Sequence, residues 1–495
     1  MVVEISADIT GNSQPPVAWE LFDDLWSSAM HPIDDRSGPS RRQVLLAVAT
    51  LIPASLIAVL LSDLRTGPTV TCTVDLTTIS QVTDPTCAGV ALSTFGRLPT
   101  DPQQGQAEKT LDTRYFRIPV RWDGSAIVSS ANGGNNLPLE ASLQTYYSWP
   151  GVRMLLVVAG RDSDWHGYQN GDAGNIARRL QTLGMTDMSR FDFSGANEPD
   201  RNGASSMTEV ADRCAQIADE LRAAGAAGTV WGPVWSAPPG DFATFAKQLG
   251  AHRLGGIDWH YYPDGAGLNG RSVQQVLSAV ADHGRVVSAV RTMLKENGLP
   301  ANTNIDELNW SWQMGNAPPL FTAANTVMMA LGFCTILSTG GRCMAYATQN
   351  GELSVMADSY GNPAARPQSS PMPAYWGIAT LTGANMPGQP PLFPHYKDTF
   401  YSSTSDDPTV KVFAVNNEGG GVNLIAINTN ENTDRSVTLS ISGMSTGSYD
   451  VFQTRREQPY DPPQKILAAA TFSSTLSVKS PALTVSVIVL KPHPG

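Results

Sequence analysis

The chain has 495 residues, of which 16% are charged, and its formal net charge is -11 at pH 7. This acidic balance excludes a protein that binds nucleic acid through a basic face, because phosphate binding needs clustered Lys and Arg. The length allows more than one domain, and the 44 Gly and 11 Trp favour long loops on a rigid scaffold.

The N-terminal region divides into a polar and an apolar segment. Residues 1–39 are polar and acidic without a sustained period, which predicts a disordered cytosolic tail. In residues 40–65 an uncharged run, 44–61, is long enough to cross a bilayer and follows Arg41 and Arg42. The pattern resembles a twin-arginine export signal, and a cleaved signal, a retained membrane anchor and a buried core helix are the alternatives. The arginines predict an internal N-terminus, so the rest of the chain is expected outside the membrane or in the cell envelope.

The five cysteines fit an exported protein. Cys72 and Cys87 are close in sequence, and Cys334 and Cys343 flank a Gly-Gly turn, so these are two candidate disulfides. Cys214 lies on the apolar face of a predicted helix and is expected to be buried. No Cys or His spacing predicts a metal site.

Residues 88–390 repeat one pattern, a short apolar strand followed by a loop and a helix. The clearest helix, at 206–225, has apolar residues at i, i+3, i+4 and i+7 and stops at Gly225. Eight strands are predicted, at 87–95, 115–122, 152–160, 191–199, 228–235, 255–262, 303–310 and 342–349. This alternation predicts an α/β fold, a (β/α)8 TIM barrel.

The sequence pattern changes after the proline-rich stretch at 387–394. Residues 391–495 contain alternating apolar and polar strands separated by Gly, Asn, Asp and Ser, which predicts an antiparallel β-sandwich accessory domain. Residues 66–87 include a strand-like stretch at 69–79 that has no other obvious partner. We therefore expect this linker to pair with the sandwich.

Three barrel strands end in unusually polar sequence. The fourth ends in Asn197 and Glu198, the sixth in DWHYY, and the seventh in Asp306 and Glu307. Active residues of a barrel lie at the carboxyl ends of its strands, where Glu198 and Glu307 would face each other. Two facing carboxyl groups, one protonated and one ionised, are what cleavage of a glycosidic bond requires. The simpler alternative is a structural turn at Asn-Glu-Pro and a surface carboxylate at Glu307.

The ordered set FRIPVRW, ANEP and DELNWSW resembles clan A of the retaining glycoside hydrolases over about residues 88–385. The spacing of Glu307, Asn309 and Ser311 is most similar to glycoside hydrolase family 39, with family 79 and family 5 as rivals. The β-sandwich is similar to the accessory domain of several clan members. The resemblance implies a retaining glycosidase acting on a poly- or oligosaccharide, with no metal and no organic cofactor.

The resemblance also implies roles at the matching positions. Glu198 would be the general acid/base and Glu307 the nucleophile. Asn197 would bind the sugar 2-hydroxyl group, and Arg117 would keep Glu307 ionised. Other substrate contacts are expected from side chains at strand ends, where either tyrosine would hydrogen-bond the nucleophile and the tryptophans would stack on sugars: His260, Tyr261, Tyr262, Trp122, Trp165, Trp310 and Trp312.

Two departures from family 39 leave the substrate open, namely Ala196 where an aromatic residue is common and Asp306 where Thr is usual. Two other functions fit the same scaffold. One is a non-catalytic carbohydrate-binding protein, and the other is a cell-wall transglycosylase that uses the same glutamates. A Ser-His-Asp esterase is disfavoured because no Gly-x-Ser-x-Gly elbow is present.

Overall fold

The computed structural model describes residues 67–92, 98–130, 137–158, 167–195, 197–204, 206–237, 242–265, 270–313, 318–350, 353–357 and 366–492. The segments expected to form a tail and an export signal or anchor, 1–39 and 40–65, lie outside these residues. Among the helices in the described ranges, none is long and apolar enough to cross a bilayer.

Eight parallel strands form a closed barrel. In chain order they are β2 (Ala88–Ala91), β3 (Tyr115–Trp122), β5 (Arg153–Val158), β6 (Phe191–Ser194), β7 (Val230–Trp235), β8 (Leu254–Tyr261), β9 (Thr303–Leu308) and β10 (Arg342–Tyr346). Each pairs with the next, and β10 returns to β2 to close the barrel. A short strand, β4 (Ile127–Ser129), adds to β3 in antiparallel orientation. The predicted TIM barrel is confirmed.

Helices follow most of these strands. They are α1 (Pro102–Leu111), α2 (Glu140–Ser148), α3 (Asp172–Thr182), α4 (Met207–Ala223), α5 (Phe242–Leu249), α6 (Val273–Glu296), α7 (Ala323–Ser338) and α8 (Pro373–Thr382). Ser206 caps α4, and Ser272 forms a capping box with Gln275 at the start of α6, because their oxygens accept the free N–H groups of the first turn. The helix predicted at 206–225 is therefore found almost in full.

A half-buried ionic cluster lies at the amino-terminal end of the barrel. The Asp192 carboxylate accepts hydrogen bonds from the Tyr115 hydroxyl and from the guanidinium groups of Arg153 and Arg342. The guanidinium of Arg342 also lies 4.5 Å from the Trp231 ring centroid. These contacts close one end of the barrel, so the polar strand ends at the opposite end are the ones open to a substrate.

A second sheet follows the barrel and includes one strand that precedes it. Its strands are β1 (Thr69–Val82), β11 (Tyr396–Ser405), β12 (Val410–Asn417), β13 (Val422–Asn428), β14 (Arg435–Ser442), β15 (Thr446–Gln453), β16 (Gln464–Ser473), β17 (Thr475–Ser480) and β18 (Thr484–Pro492). The order is β16-β15-β18-β13-β12-β11-β1-β14-β17, around a core of its own.

The predicted antiparallel accessory domain is confirmed, with one parallel pairing. Strand β1 pairs antiparallel with β11 on one side and parallel with β14 on the other, so the sheet is mostly antiparallel. Because β1 comes before the barrel in sequence, it reaches this sheet without a hairpin connection and is free to lie parallel to a neighbour.

The two candidate disulfides are wrong. All five cysteines are buried and free. Cys72 lies in the core of the second sheet, whereas Cys87 packs in the core of the barrel, so closeness in sequence does not bring the sulfurs together. Cys334 on α7 and Cys343 on β10 both lie in the barrel core as free thiols, and burial raises the pKa of each.

Candidate active site

Arg117 on β3 is the centre of the polar cluster inside the barrel mouth. Its side chain is almost fully buried, and its Nε donates to Asp306 Oδ2 at 2.8 Å. Its Nη1 donates to Glu307 Oε1 at 2.7 Å, and its Nη2 donates to Asn197 Oδ1. Burial opposes the charge of Arg117, but Glu307 and Asp306 outweigh it and raise the pKa. The rigid guanidinium fork thus fixes side chains from two other strand ends.

An extra residue in β9 explains how consecutive acids both face Arg117. On β8, Trp259 pairs with Ile305 and the next residue, His260, pairs with Glu307, so Asp306 has no partner. The pairing of β9 with β10 also shifts by one residue in this interval. Such a β-bulge turns neighbouring side chains toward the same side, and bulges are common beside active sites. Asp306 and Glu307 are both buried.

Three donors surround the Glu307 carboxylate. Besides Arg117, the Tyr262 hydroxyl donates to Oε2, and His260 Nδ1 lies 3.2 Å from the same oxygen. Burial raises the pKa of Glu307, while His260 and Arg117 act in the opposite direction. The carboxylate is therefore held in a fixed orientation by groups that favour its ionised form.

Glu198 follows β6 in a strained turn. Its φ is 42°, a left-handed value that is uncommon for a residue other than glycine, and its backbone N–H donates to the Val234 carbonyl at 3.0 Å. The side chain is 27% exposed, and its Oε1 lies 2.8 Å from His260 Nδ1. Burial favours the neutral acid, but the hydrogen bond and charge of His260 outweigh it, so the pKa of Glu198 is lowered.

His260 links the two glutamates. Its ring is fully buried, and burial lowers its pKa, but Glu307 and Asp306 outweigh burial and raise it well above the usual value. One oxygen of each glutamate and one imidazole nitrogen lie within 4.8 Å of one another, which is the spacing of a potential metal site. Arg117 and Tyr262 already donate to the two oxygens of Glu307, so this carboxylate is held by protein donors.

The structure gathers some of the predicted site residues and separates others. Asn197, Arg117, His260 and Tyr262 surround Glu198 and Glu307. The neighbouring tyrosine, Tyr261, turns away and stacks on His283 of α6 with ring centroids 3.6 Å apart. Successive side chains of a strand point to opposite faces, so only one of the two tyrosines reaches Glu307.

The predicted tryptophans also divide. Trp310 is 1% exposed and belongs to the barrel core, so it offers no ring face to a sugar. Trp122 is half-buried against the same core. Trp312 is 53% exposed in the loop after β9, where its backbone N–H donates to the Gly265 carbonyl. Trp165 lies outside the described residues.

Several residues near the pair were missed as candidates. Asp258 precedes His260 by two positions and is fully buried, with hydrogen bonds to Ser194 and to the backbone of Val234. The alternation of Asp258, His260 and Tyr262 along one strand face was the available signal. Tyr346, the last residue of β10, lies against the Tyr262 ring with centroids 6.3 Å apart. No sequence pattern pointed to Tyr346.

No protein-family model and no curated protein sequence matches the chain. Solved structures do. AbfB, a family 51 α-L-arabinofuranosidase from Bifidobacterium longum, superposes with a TM-score of 0.61 at 15% identity, covering 86% of this chain and 100% of that one. A Paenibacillus polymyxa xyloglucanase from glycoside hydrolase family 44 gives 0.59 at 13% identity, with the same coverage.

A third structure, the family 30 subfamily 8 xylanase Xyn30A from Clostridium acetobutylicum, gives a TM-score of 0.57 at 11% identity over 85% of this chain and 99% of that one. At these identities the likeness establishes the shared fold. These neighbours belong to families 51, 44 and 30, so they give no support to family 39 in particular.

Proposed function

We propose that this protein is a retaining glycoside hydrolase of the clan A type, with Glu307 as nucleophile and Glu198 as general acid/base. The observation that carries the proposal is the closeness of the two carboxylates, which have oxygens within 4.8 Å of each other. Retaining enzymes hold their carboxyl groups about 5–5.5 Å apart, whereas inverting enzymes need about 6.5–9.5 Å to admit a water molecule. The fold shared with three glycoside hydrolases supports the same reaction class.

The reaction would proceed by two displacements. In the first, an oxygen of Glu307 attacks the anomeric carbon, the bond to the leaving oxygen breaks, and Glu198 gives that oxygen a proton. In the second, Glu198 takes a proton from water, and the water oxygen attacks the same carbon and releases Glu307. Asn197 is oriented by Arg117 and would hydrogen-bond the sugar 2-hydroxyl group.

In the substrate-free site the pKa of Glu198 is lowered and that of Glu307 is raised, and both shifts are opposite to those that the first displacement needs. The source of the required proton is His260, whose Nδ1 lies 2.8 Å from Glu198. A bound sugar would exclude water from the partly exposed Glu198 carboxyl and so raise its pKa. Glu198 would then accept the His260 proton and become the acid.

A poly- or oligosaccharide is the substrate class that fits best. The exposed ring of Trp312 lies in a loop at the carboxyl end of β9 and suits stacking on a sugar unit. The neighbours include a xyloglucanase and a xylanase, which supports a polymeric glycan. The family 39 assignment rests on Glu307, Asn309 and Ser311 alone, and Asn309 instead ties the end of β9 to the carbonyl groups of Tyr346 and Leu353.

We further propose that the chain is exported. The apolar run 44–61 and the preceding Arg41 and Arg42 support a signal or an anchor that places the barrel outside the cell membrane, secreted or in the cell envelope.

The test is to incubate the full chain with a panel of aryl glycosides (xyloside, glucoside, galactoside, arabinoside and glucuronide) and with isolated plant and cell-wall polysaccharides. Turnover that is lost in both Glu198→Gln and Glu307→Gln supports the proposal and identifies the sugar. Glu108→Gln, the same change at a buried glutamate of α1, is the matched control and should retain turnover.

Two results would replace the proposal. Binding of a polysaccharide without turnover in any assay would favour a non-catalytic carbohydrate-binding protein. Transfer of the sugar to a second glycan in preference to water would favour a transglycosylase that uses the same pair.

A further inference from the structure

The turn that carries Glu198 is held by an unusual peptide at the end of β7. Val234 has a φ of 55°, a left-handed conformation that is a genuine outlier for a β-branched residue. Its carbonyl accepts the Glu198 N–H at 3.0 Å. Its own N–H donates to Asp258 Oδ1 at 2.9 Å. A strained conformation of this kind persists only where surrounding contacts enforce it.

Asp258 supplies that contact from β8. Its other oxygen, Oδ2, lies 3.1 Å from Ser194 Oγ, and the same Oγ lies 3.1 Å from the Trp231 carbonyl. A hydroxyl group has one hydrogen to donate. If Ser194 gives it to the Trp231 carbonyl, which has no proton of its own, Asp258 Oδ2 must be the donor to Ser194. A protonated Asp258 therefore satisfies every partner in this network.

We propose that Asp258, as a neutral carboxylic acid, is the positioning residue of the general acid/base, and that it acts on Glu198 through the backbone of Val234. This inference rests on the proposed function, because it assigns Asp258 a task in that reaction. Asp258 touches neither glutamate side chain; it fixes the peptide that fixes the Glu198 turn.

The groups that face Asp258 agree with a neutral acid. They are Asp306 from β9, Arg117 from β3 and Cys214 from α4, besides Ser194 from β6. Burial raises the pKa of Asp258 well above its usual value, Asp306 raises it further, and the hydrogen bonds and Arg117 only partly oppose this. If Asp258 were ionised, its negative charge would lie near Asp306 in a site where burial already disfavours charge.

A separate contact joins the same two turns. Asp200, two residues after Glu198, accepts the Ser236 N–H at 3.1 Å as well as the Ser236 hydroxyl. This contact does not involve Asp258. When Asp258 is lost, the contact between Asp200 and Ser236 should therefore keep the two turns together, while Glu198 is displaced.

The experiment measures kcat/KM for full-length variants on aryl glycosides of the sugar that the panel identifies, with leaving phenols from activated dinitrophenol to unactivated phenol. Phenol needs a proton from the general acid in order to leave, so the rate of its cleavage reports on that acid. Dinitrophenol leaves without a proton, so the rate of its cleavage does not. Glu198→Ala supplies the reference pattern.

In Asp258→Ala, kcat/KM is expected to fall roughly 10²–10³-fold for the glycoside with a phenol leaving group, which is within the range of general acid catalysis. For the glycoside with a dinitrophenol leaving group, kcat/KM should fall less than roughly 10-fold. Asp258→Asn keeps an acceptor for Val234 and a donor for Ser194, so its rates should stay within about 5-fold of the parent, well short of that loss. Asp192→Asn, at a half-buried aspartate on the opposite end of the barrel, is the matched control and should not change the leaving-group dependence.

Equal losses with all leaving groups in Asp258→Ala, beside a normal Glu198→Ala pattern, would overturn the positioning role. If Glu198→Ala itself shows no leaving-group dependence, it is the proposed function that fails. Should Asp258→Ala not fold, the pH profile of Asp258→Asn decides. An unchanged profile supports a neutral Asp258, and a displaced one shows that an ionised carboxylate was removed.

Discussion

At the residue scale, the site depends on hydrogen bonds that a single substitution can remove. Arg117, Tyr262 and His260 together contact both oxygens of Glu307. Arg117 and His260 share Asp306 as a further partner, whereas the Tyr262 hydroxyl donates to Glu307. A change at Tyr262 is therefore expected to act on rate more than on folding.

Tyr262→Phe tests this directly. The change removes the hydroxyl that donates to Glu307 Oε2, and a hydrogen bond to a charged group is worth enough to lower kcat/KM roughly 10–100-fold. The neighbouring Tyr261→Phe is the matched control, because Tyr261 stacks on His283 outside the site. Steady-state kinetics of both variants on one aryl glycoside checks the prediction. Equal losses in the two variants would contradict the placement of Tyr262.

How far single residues could be predicted depended on their strand-end position. Glu198 and Glu307 were predicted to meet because acids at strand ends point to one place in a barrel, whereas Arg117 was predicted from the family resemblance. Trp310 was misjudged because an aromatic residue at a strand end packs inward or outward depending on the loop path. Asp258 was missed because the sequence does not distinguish an acid buried inside the barrel from an acid on the protein surface.

At the element scale, periodicity predicted the eight barrel strands but not their irregularities. The bulge at Asp306 changes no apolar position, so it leaves no trace in the sequence pattern. Strand β11 is rich in Ser and Thr, and β16 is an edge strand whose residues are almost all exposed, so neither has the apolar alternation that predicts a strand.

Helix α1 carries a prediction on pH and stability. Glu108 is fully buried and accepts hydrogen bonds from Gln104 and Tyr146, and burial raises its pKa from 4.5 to about 7. The unfolded chain releases this proton near pH 4.5, so the stabilisation is complete below that pH and is lost as the pH rises through 7.

Glu108→Gln should remove this pH dependence. The amide has no proton to lose, so the parent should lose ~3 kcal/mol of stability between pH 4.5 and 7 relative to the variant. Denaturant unfolding of both proteins across this range measures the difference. Parallel stability curves would show that Glu108 ionises equally in the folded and unfolded chains.

At the scale of the whole molecule, the second sheet contributes residues to the apolar core of the barrel besides having a core of its own. Val415, Ile425 and Val485 of the sheet pack in the same cluster as the buried face of α7. Strand β1, which precedes the barrel, lies between β11 and β14. The pairing of β1 with the second sheet could be anticipated because this segment had no other partner. Its parallel pairing with β14 could not, since register depends on contacts distant in sequence.

A chain ended after residue 390 is therefore expected to be unstable although it contains every candidate catalytic residue. It would leave β1 without strand partners and expose the apolar surface of α7 to water. Size-exclusion chromatography and thermal unfolding beside the full chain check this. A monomeric product with unchanged melting temperature would show that the two parts fold independently.

The most direct test of the central claim is to trap the covalent intermediate. Full-length protein is incubated with activated 2-deoxy-2-fluoro glycosides of the panel sugars, and its intact and peptide masses are measured. We predict the addition of one fluoroglycosyl group on the peptide that contains Glu307, and no addition in Glu307→Gln. A label on Glu198, or turnover of normal substrate with inversion of the anomeric centre, would contradict the assignment.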